Sequence, residues 1–137
     1  MAIVIDASVA ASWFLPGESS PAADLVLDGL AAAQGVVPGL FWHEICSVLI
    51  SNERRGRISR ERGLSSLARL RMLHLERDDT QDHGVVLEMA RKHALSAYDA
   101  VYLETAWRRG DMLATLDRAL SKAANDENIA VLPQAVP

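Results

Sequence analysis

Short apolar runs rich in β-branched residues alternate along this chain with longer stretches whose apolar positions recur every three or four residues. Ala2-Ile3-Val4-Ile5 is the first such run and predicts a buried strand. Asp6-Ala7-Ser8 ends it, residues 9–14 begin a short helix, and Pro16-Gly17 stops that helix. Residues 21–33 show helical spacing through Ala22, Leu25, Val26 and Leu30, and Gly35-Val36-Val37-Pro38 predicts a second short strand. Residues 40–55 carry Ile45, Val48 and Leu49 on one helical face. Ser59 is placed to cap the next helix, whose Leu64, Leu67, Leu70 and Leu73 fall every three residues until it ends near His74.

Leu75-Glu76-Arg77 is a minimal strand candidate. Thr80 is the expected cap of a helix running through Val86, Met89 and Ala90 to His93, and Ser96 starts another that closes at Arg108-Arg109-Gly110, a basic and glycine C-terminus. Met112-Leu113-Ala114-Thr115 predicts a strand, residues 117–124 a short helix, and Ile129-Ala130-Val131-Leu132 a last strand. Strands alternating with helices imply an α/β fold with a mostly parallel sheet covered on both faces. There is no internal repeat, low-complexity segment or linker, so residues 1–137 read as one domain.

Composition narrows the class. The chain has 137 residues, 50% hydrophobic and 23% charged, which suits a compact domain and excludes disorder. Its formal net charge of −4 means that a nucleic-acid partner requires a local basic patch or a bridging metal. The lone cysteine, Cys46, excludes an internal disulfide and suits a reducing cytoplasm. Its neighbours Ile45, Val48 and Leu49 lead to the expectation of a buried, inert thiol. Asp6 interrupts the first apolar run and no basic segment precedes it, so no signal peptide is read. The uncharged stretch 29–42 is too short for a membrane span and is broken by Gly35 and Pro38. A soluble cytoplasmic protein is the expectation.

Four acids, Asp6, Glu44, Asp99 and Asp117, fall where extended or turn segments pass into helices. Each has a structural explanation of its own. Asp6 can cap the turn after the first strand, and Glu44 sits where a negative charge favours the helix dipole. Ser96-Ala97-Tyr98-Asp99 has the form of a capping box, and Asp117 can be an N-cap. Together they say more, because in an open α/β sheet such junctions gather on the carboxyl edge, where ligand sites form. Carboxylates brought together among small or apolar residues raise one another's pKa unless a cation neutralises them. Hard oxygen donors select Mg²⁺ or Mn²⁺ over zinc. Ser8 and Thr115 are candidates to hydrogen-bond the carboxylates or a metal-bound water.

Other chemistries find no support. His43, His74, His83 and His93 lack ligand spacing with one another or with Cys46, and His43-Glu44 has no second histidine in the zinc-protease register. There is no glycine-rich phosphate loop and no nucleophile elbow. An aspartyl-phosphate phosphatase wants a second aspartate where this chain has Ser8, and a receiver-type phosphotransfer domain wants an acid pair that is missing. Arg54, Arg55, Arg57, Arg60 and Arg62 form a basic cluster opposed within its span only by Glu61. It is either a solvated helix–turn–helix surface or a rim that contacts an RNA backbone.

Four motifs in order, Ile3-Val4-Ile5-Asp6-Ala7-Ser8, Trp42-His43-Glu44, Leu95-Ser96-Ala97-Tyr98-Asp99-Ala100 and Leu113-Ala114-Thr115-Leu116-Asp117, resemble the PIN-domain ribonucleases, specifically VapC-type toxins of bacterial type II toxin–antitoxin systems. The resemblance spans nearly the whole chain. It implies a three-layer α/β/α sandwich with a small sheet of about five strands, and Asp6, Glu44, Asp99 and Asp117 lining an Mg²⁺ or Mn²⁺ site. It also implies metal-dependent endonucleolytic cleavage of RNA, a homodimer, and silencing by a VapB-like antitoxin in a hetero-oligomer, with Trp13, Phe14 or Trp42 as candidates to line the antitoxin groove. Family members often carry asparagine three residues after the helical glutamate, where this chain has Ser47, a shorter polar support for Glu44. A non-catalytic RNA-binding protein on the same fold is the alternative implied by that departure.

Overall fold

The computed structural model describes residues 1–133. Five parallel strands form one sheet: β1 (Ile3–Ile5), β2 (Gly35–Val37), β3 (Glu76–Arg77), β4 (Met112–Ala114) and β5 (Val131–Leu132), in the order β3-β2-β1-β4-β5. The helices are α1 (Ala7–Ser12), α2 (Pro21–Gly29), α3 (Leu40–Arg54), α4 (Arg60–Arg71), α5 (His83–His93), α6 (Ala97–Arg109) and α7 (Arg118–Asp126). Helices α1 to α4 pack on one another, α5 to α7 do likewise, and the sheet completes a three-layer α/β/α sandwich.

The apolar runs become strands because a sheet covered on both faces buries every side chain, not alternate ones. Val4, Ile5, Val36, Val37, Leu113 and Ala114 are all fully buried. Removing a side chain of the Val or Leu size from water contributes roughly 1.5–3 kcal/mol apiece. Strand order reverses direction at β1: β2 and β3 lie on one side, β4 and β5 on the other. The carboxyl edge between β1 and β4 is therefore a topological switch point, where neighbouring connections leave in opposite directions and open a crevice.

The β3 edge is short and charged, which blunts it against strand pairing with other chains. Just beyond it, Asp78 is 7% exposed and accepts from the Thr80 amide and hydroxyl at 2.9 and 2.8 Å. It also accepts from Arg108 and Arg109, each at 3.0 Å. Arg109 reaches Glu76 and Asp111 as well, and Arg108 reaches the fully buried Glu104, one of whose oxygens has no partner. This network ties the edge strand to the end of α6 and the start of β4.

Several local expectations need correction. Thr80 does not cap α5, because its hydroxyl is committed to Asp78; Asp82 caps instead, accepting from Gly84 and Val85. Helix α2 ends at Gly29, four residues earlier than its pattern predicts, and Leu25 on it is exposed. In α4 a leucine every three residues drifts around a 3.6-residue helix, so Leu70 is buried while Leu64 is 62% exposed. Cys46 is exposed, since it lies one position round the helix from Ile45, which takes the core face. No helix among the described residues is long and apolar enough to cross a membrane.

Candidate functional site

Asp6 follows β1 directly, and its amide continues the ladder by donating to the Ala114 carbonyl at 3.0 Å. It occupies the N-cap position of α1 but makes no capping bond with its side chain. Its carboxylate instead accepts from the hydroxyls of Ser8 and Thr115, both on Oδ2 and both at 2.8 Å. Asp6 is only 6% exposed. Burial pushes its pKa up, the Thr115 and Ser8 donors oppose the rise, and the charge of Asp117 adds to it.

Glu44 lies in the first turns of α3, half-buried, and accepts from the Tyr102 hydroxyl at 2.6 Å. Its pKa is also raised, first by burial and then by the charges of Asp6 and Asp99, against the Tyr102 hydrogen bond. Asp99 sits in the first turn of α6, where its amide donates to the Ser96 hydroxyl at 3.1 Å. Burial, then Asp6 and Asp117, raise its pKa against the Ser96 hydroxyl. Asp117 does cap α7, accepting from Leu120 N at 2.9 Å, and is exposed. Its own amide donates to Thr115 Oγ1 at 3.0 Å, so the hydroxyl that binds Asp6 also anchors the turn carrying Asp117.

All four acids line one open cavity of about 350 Å³ at the switch point, together with Ser8, Ser47 and Val48. Among the described residues, no three histidine, cysteine, aspartate or glutamate side chains form a tight metal-binding cluster as they stand. The acids surround a space without closing on it. Thr115, 3% exposed, reaches the site only through Asp6 and the Asp117 turn. Ser47 is exposed and makes no hydrogen bond to Glu44 among the described residues; Tyr102 holds that carboxylate instead.

With this geometry in view, likeness to known proteins is informative. A family model for the PIN domain matches residues 3–126. The chain belongs to the PIN domain family. This PIN domain is similar to Ribonuclease VapC3 of Pyrobaculum aerophilum, 29% identical over 126 residues, a match covering 89% of this chain and 94% of that one. Its fold resembles a crystal structure from Pyrobaculum aerophilum with a TM-score of 0.75 at 20% identity, covering 96% of this chain and 83% of the other. It also resembles a toxin–antitoxin complex from Klebsiella pneumoniae, with a TM-score of 0.62 at 17% identity over 98% of this chain and 100% of that one.

In this PIN domain the residue that sequence reasoning missed is Tyr102. A signal was present, because Tyr102 lies three positions after Asp99 and so shares its helical face. A buried tyrosine also needs a partner for its hydroxyl. The donor set fits a hard divalent cation: carboxylate oxygens only, three of them held towards their protonated forms by burial and mutual charge. The open arrangement leaves room for water on such an ion.

Proposed function

We propose that this single-domain chain is a divalent-metal-dependent endoribonuclease and the toxin of a toxin–antitoxin pair, working with Mg²⁺ or Mn²⁺. The observation that carries this reading is the shared cavity of Asp6, Glu44, Asp99 and Asp117, three of whose carboxyls are destabilised as anions unless a cation enters. Likeness to Ribonuclease VapC3 supports the choice of RNA, and likeness to a toxin–antitoxin complex supports an antitoxin partner. The RNA, the antitoxin, a homodimer and the cytoplasm belong to this proposal together.

Asp6 and Asp99 would hold the ion, with Glu44 direct or through water and Asp117 through water or on a second ion. When bound, the ion supplies Lewis-acid activation of water and stabilisation of charge on the attacked phosphate. The protein orients these groups. Ser8 and Thr115 fix one oxygen of Asp6, and Tyr102 fixes Glu44, so the carboxylates are preorganised before substrate arrives. No side-chain nucleophile is required. An antitoxin arginine entering the same acidic cavity would pair with the carboxylates and block the ion. Phe14, which helps line an apolar gap between α1, α3 and α4, would offer an adjacent contact.

Expression of the chain should arrest growth, and co-expression of the neighbouring open reading frame should relieve the arrest. Unimpaired growth on expression of soluble chain would refute the toxin reading. Calorimetric titration with Mg²⁺ and Mn²⁺ should show binding that Asp99→Asn weakens; no heat of binding with either ion would refute metal dependence. Tyr102→Phe, which leaves Glu44 without its donor, is expected to lower cleavage by about 10-fold or more through looser positioning of that carboxylate, with little change in melting temperature. Unchanged kcat/KM in Tyr102→Phe would remove the positioning role.

A further inference from the structure

The five arginines at the junction of α3 and α4 are all exposed, and among the described residues none of them forms an ion pair. Arg77, Arg91, Arg108 and Arg109, by contrast, each hold a carboxylate at 2.6 to 3.1 Å. The junction itself is a hydrogen-bonded turn. Gly56 takes a φ of +71°, its amide donates to the Glu53 carbonyl at 3.0 Å, and Arg57 N donates to the Asn52 carbonyl at 2.9 Å. These are the paired bonds of a Schellman turn, and the left-handed residue within it favours glycine. The buried Ile58 pins the chain on the next residue.

Of the five, Arg55 and Arg57 line a groove of about 410 Å³ along α1 and α3, and Arg54, Arg60 and Arg62 do not. That groove shares Ser8, Ala11, Ser47 and Val48 with the acid cavity, so the two adjoin as a trench along α1 and α3. Its walls at Ser47, Ser51 and Asn52 are polar, which suits a hydrated phosphate backbone better than the apolar face of a protein helix. One acid, Glu18, also stands on this wall.

We infer that this trench is the path of single-stranded RNA, with Arg55 and Arg57 gripping phosphates that flank the cleaved bond. The inference rests on the ribonuclease reading above and deepens it. A chain of net charge −4 with four carboxylates at its reactive centre repels a polyanion. Unpaired guanidiniums just past the end of α3, where the backbone of Arg55 stands about 16 Å of helical rise from that of Glu44, supply the compensating attraction without entering the reaction. They give affinity rather than chemistry, so their loss acts on KM.

The test compares Arg55→Gln/Arg57→Gln with Arg54→Gln/Arg60→Gln, both checked for unchanged melting, on a single-stranded oligonucleotide and on a dinucleotide too short to reach the arginines. The groove pair should raise KM for the oligonucleotide roughly tenfold and flatten its salt dependence by roughly 0.7 per lost phosphate contact, with kcat little changed. The other pair should behave as wild type, the dinucleotide should be indifferent to both, and Arg55→Lys/Arg57→Lys should recover most of the loss. Glu18→Gln should lower KM. Equal KM and salt slope for wild type and the groove variant would overturn the inference while wild-type cleavage left the ribonuclease reading standing. Lost antitoxin affinity with unchanged KM for RNA would overturn it too, in favour of a protein segment in the trench. A wild type that binds the oligonucleotide without cutting it, and loses that binding in the groove variant, would uphold the trench and refute the nuclease. No binding at all would refute both.

Discussion

Asp6→Asn is expected to reduce RNA cleavage by roughly three orders of magnitude or more, since several kcal/mol of charge stabilisation depend on that carboxylate and each 1.36 kcal/mol is about tenfold in rate. The fold should survive. Asparagine fills the same volume, and the Ser8 and Thr115 hydroxyls can turn to meet its amide. In metal-free buffer at neutral pH the variant should melt no lower than wild type, because the substitution removes a buried charge whose ionisation the site opposes. The sign follows from linkage. The carboxyls of Asp6, Glu44 and Asp99 have raised pKa values when folded, so the native state holds protons that the unfolded state has released. Their contribution to stability falls as pH rises from the ordinary carboxylate range to the folded values. Metal-free wild type should therefore gain stability on mild acidification through that window, and added Mg²⁺ or Mn²⁺ should raise its melting temperature at neutral pH. Asp6→Asn should lose its own share of the acid response, leaving that of Glu44 and Asp99, and most of the metal response. Full activity in the purified variant, or an identical metal response, would refute the assignment.

Asp78→Ala should be the most damaging single change to stability outside the apolar core, at about 3 kcal/mol, or roughly 10 °C in melting temperature for a chain of this size. Burial opposes ionisation of Asp78, yet the Thr80 amide and hydroxyl and the Arg108 and Arg109 guanidiniums outweigh it and hold the carboxyl far below the usual range. Its removal strands two arginines that no longer share an acid, although Glu104, Glu76 and Asp111 still hold part of each. The pH dependence has the opposite sign to that of the cavity acids. A depressed folded pKa gives stability that is complete above the unfolded value and lost as pH falls below it. The gap between wild type and Asp78→Ala should be full at pH 7 and narrow in strong acid. Denaturant melts at both pH values check this, and a gap that widens in acid would contradict it.

The two acid groups illustrate how unevenly the sequence reports on the structure. Strand runs were legible because a parallel sheet buries both faces, so Ile3-Val4-Ile5 and Leu113-Ala114 need no alternation to be recognised. Helix caps were legible where one residue has one role, as at Ser59, Ser96 and Asp117, each of which accepts the expected amide. Thr80 failed because Asp78, only two residues back, takes its hydroxyl in a local turn, and the helix starts later, with Asp82 as the cap. Cys46 and Leu64 failed because neighbouring apolar residues do not say which way a helix turns. Asp78 drew no attention in the sequence, since its four donors come from residues up to 31 positions away.

By itself the sequence determined the alternation of elements, the α/β class and the positions of Asp6, Glu44, Asp99 and Asp117 at helix starts, because these depend on local propensity and period. Tertiary structure alone decided the strand order that places β1 beside β4 at the switch point. It also decided the Tyr102 hydroxyl on Glu44 and the sharing of Ser8 and Ser47 between the acid cavity and the arginine groove. Those features depend on contacts between residues far apart in the chain, and only packing of the whole sheet against its two helical layers selects among them.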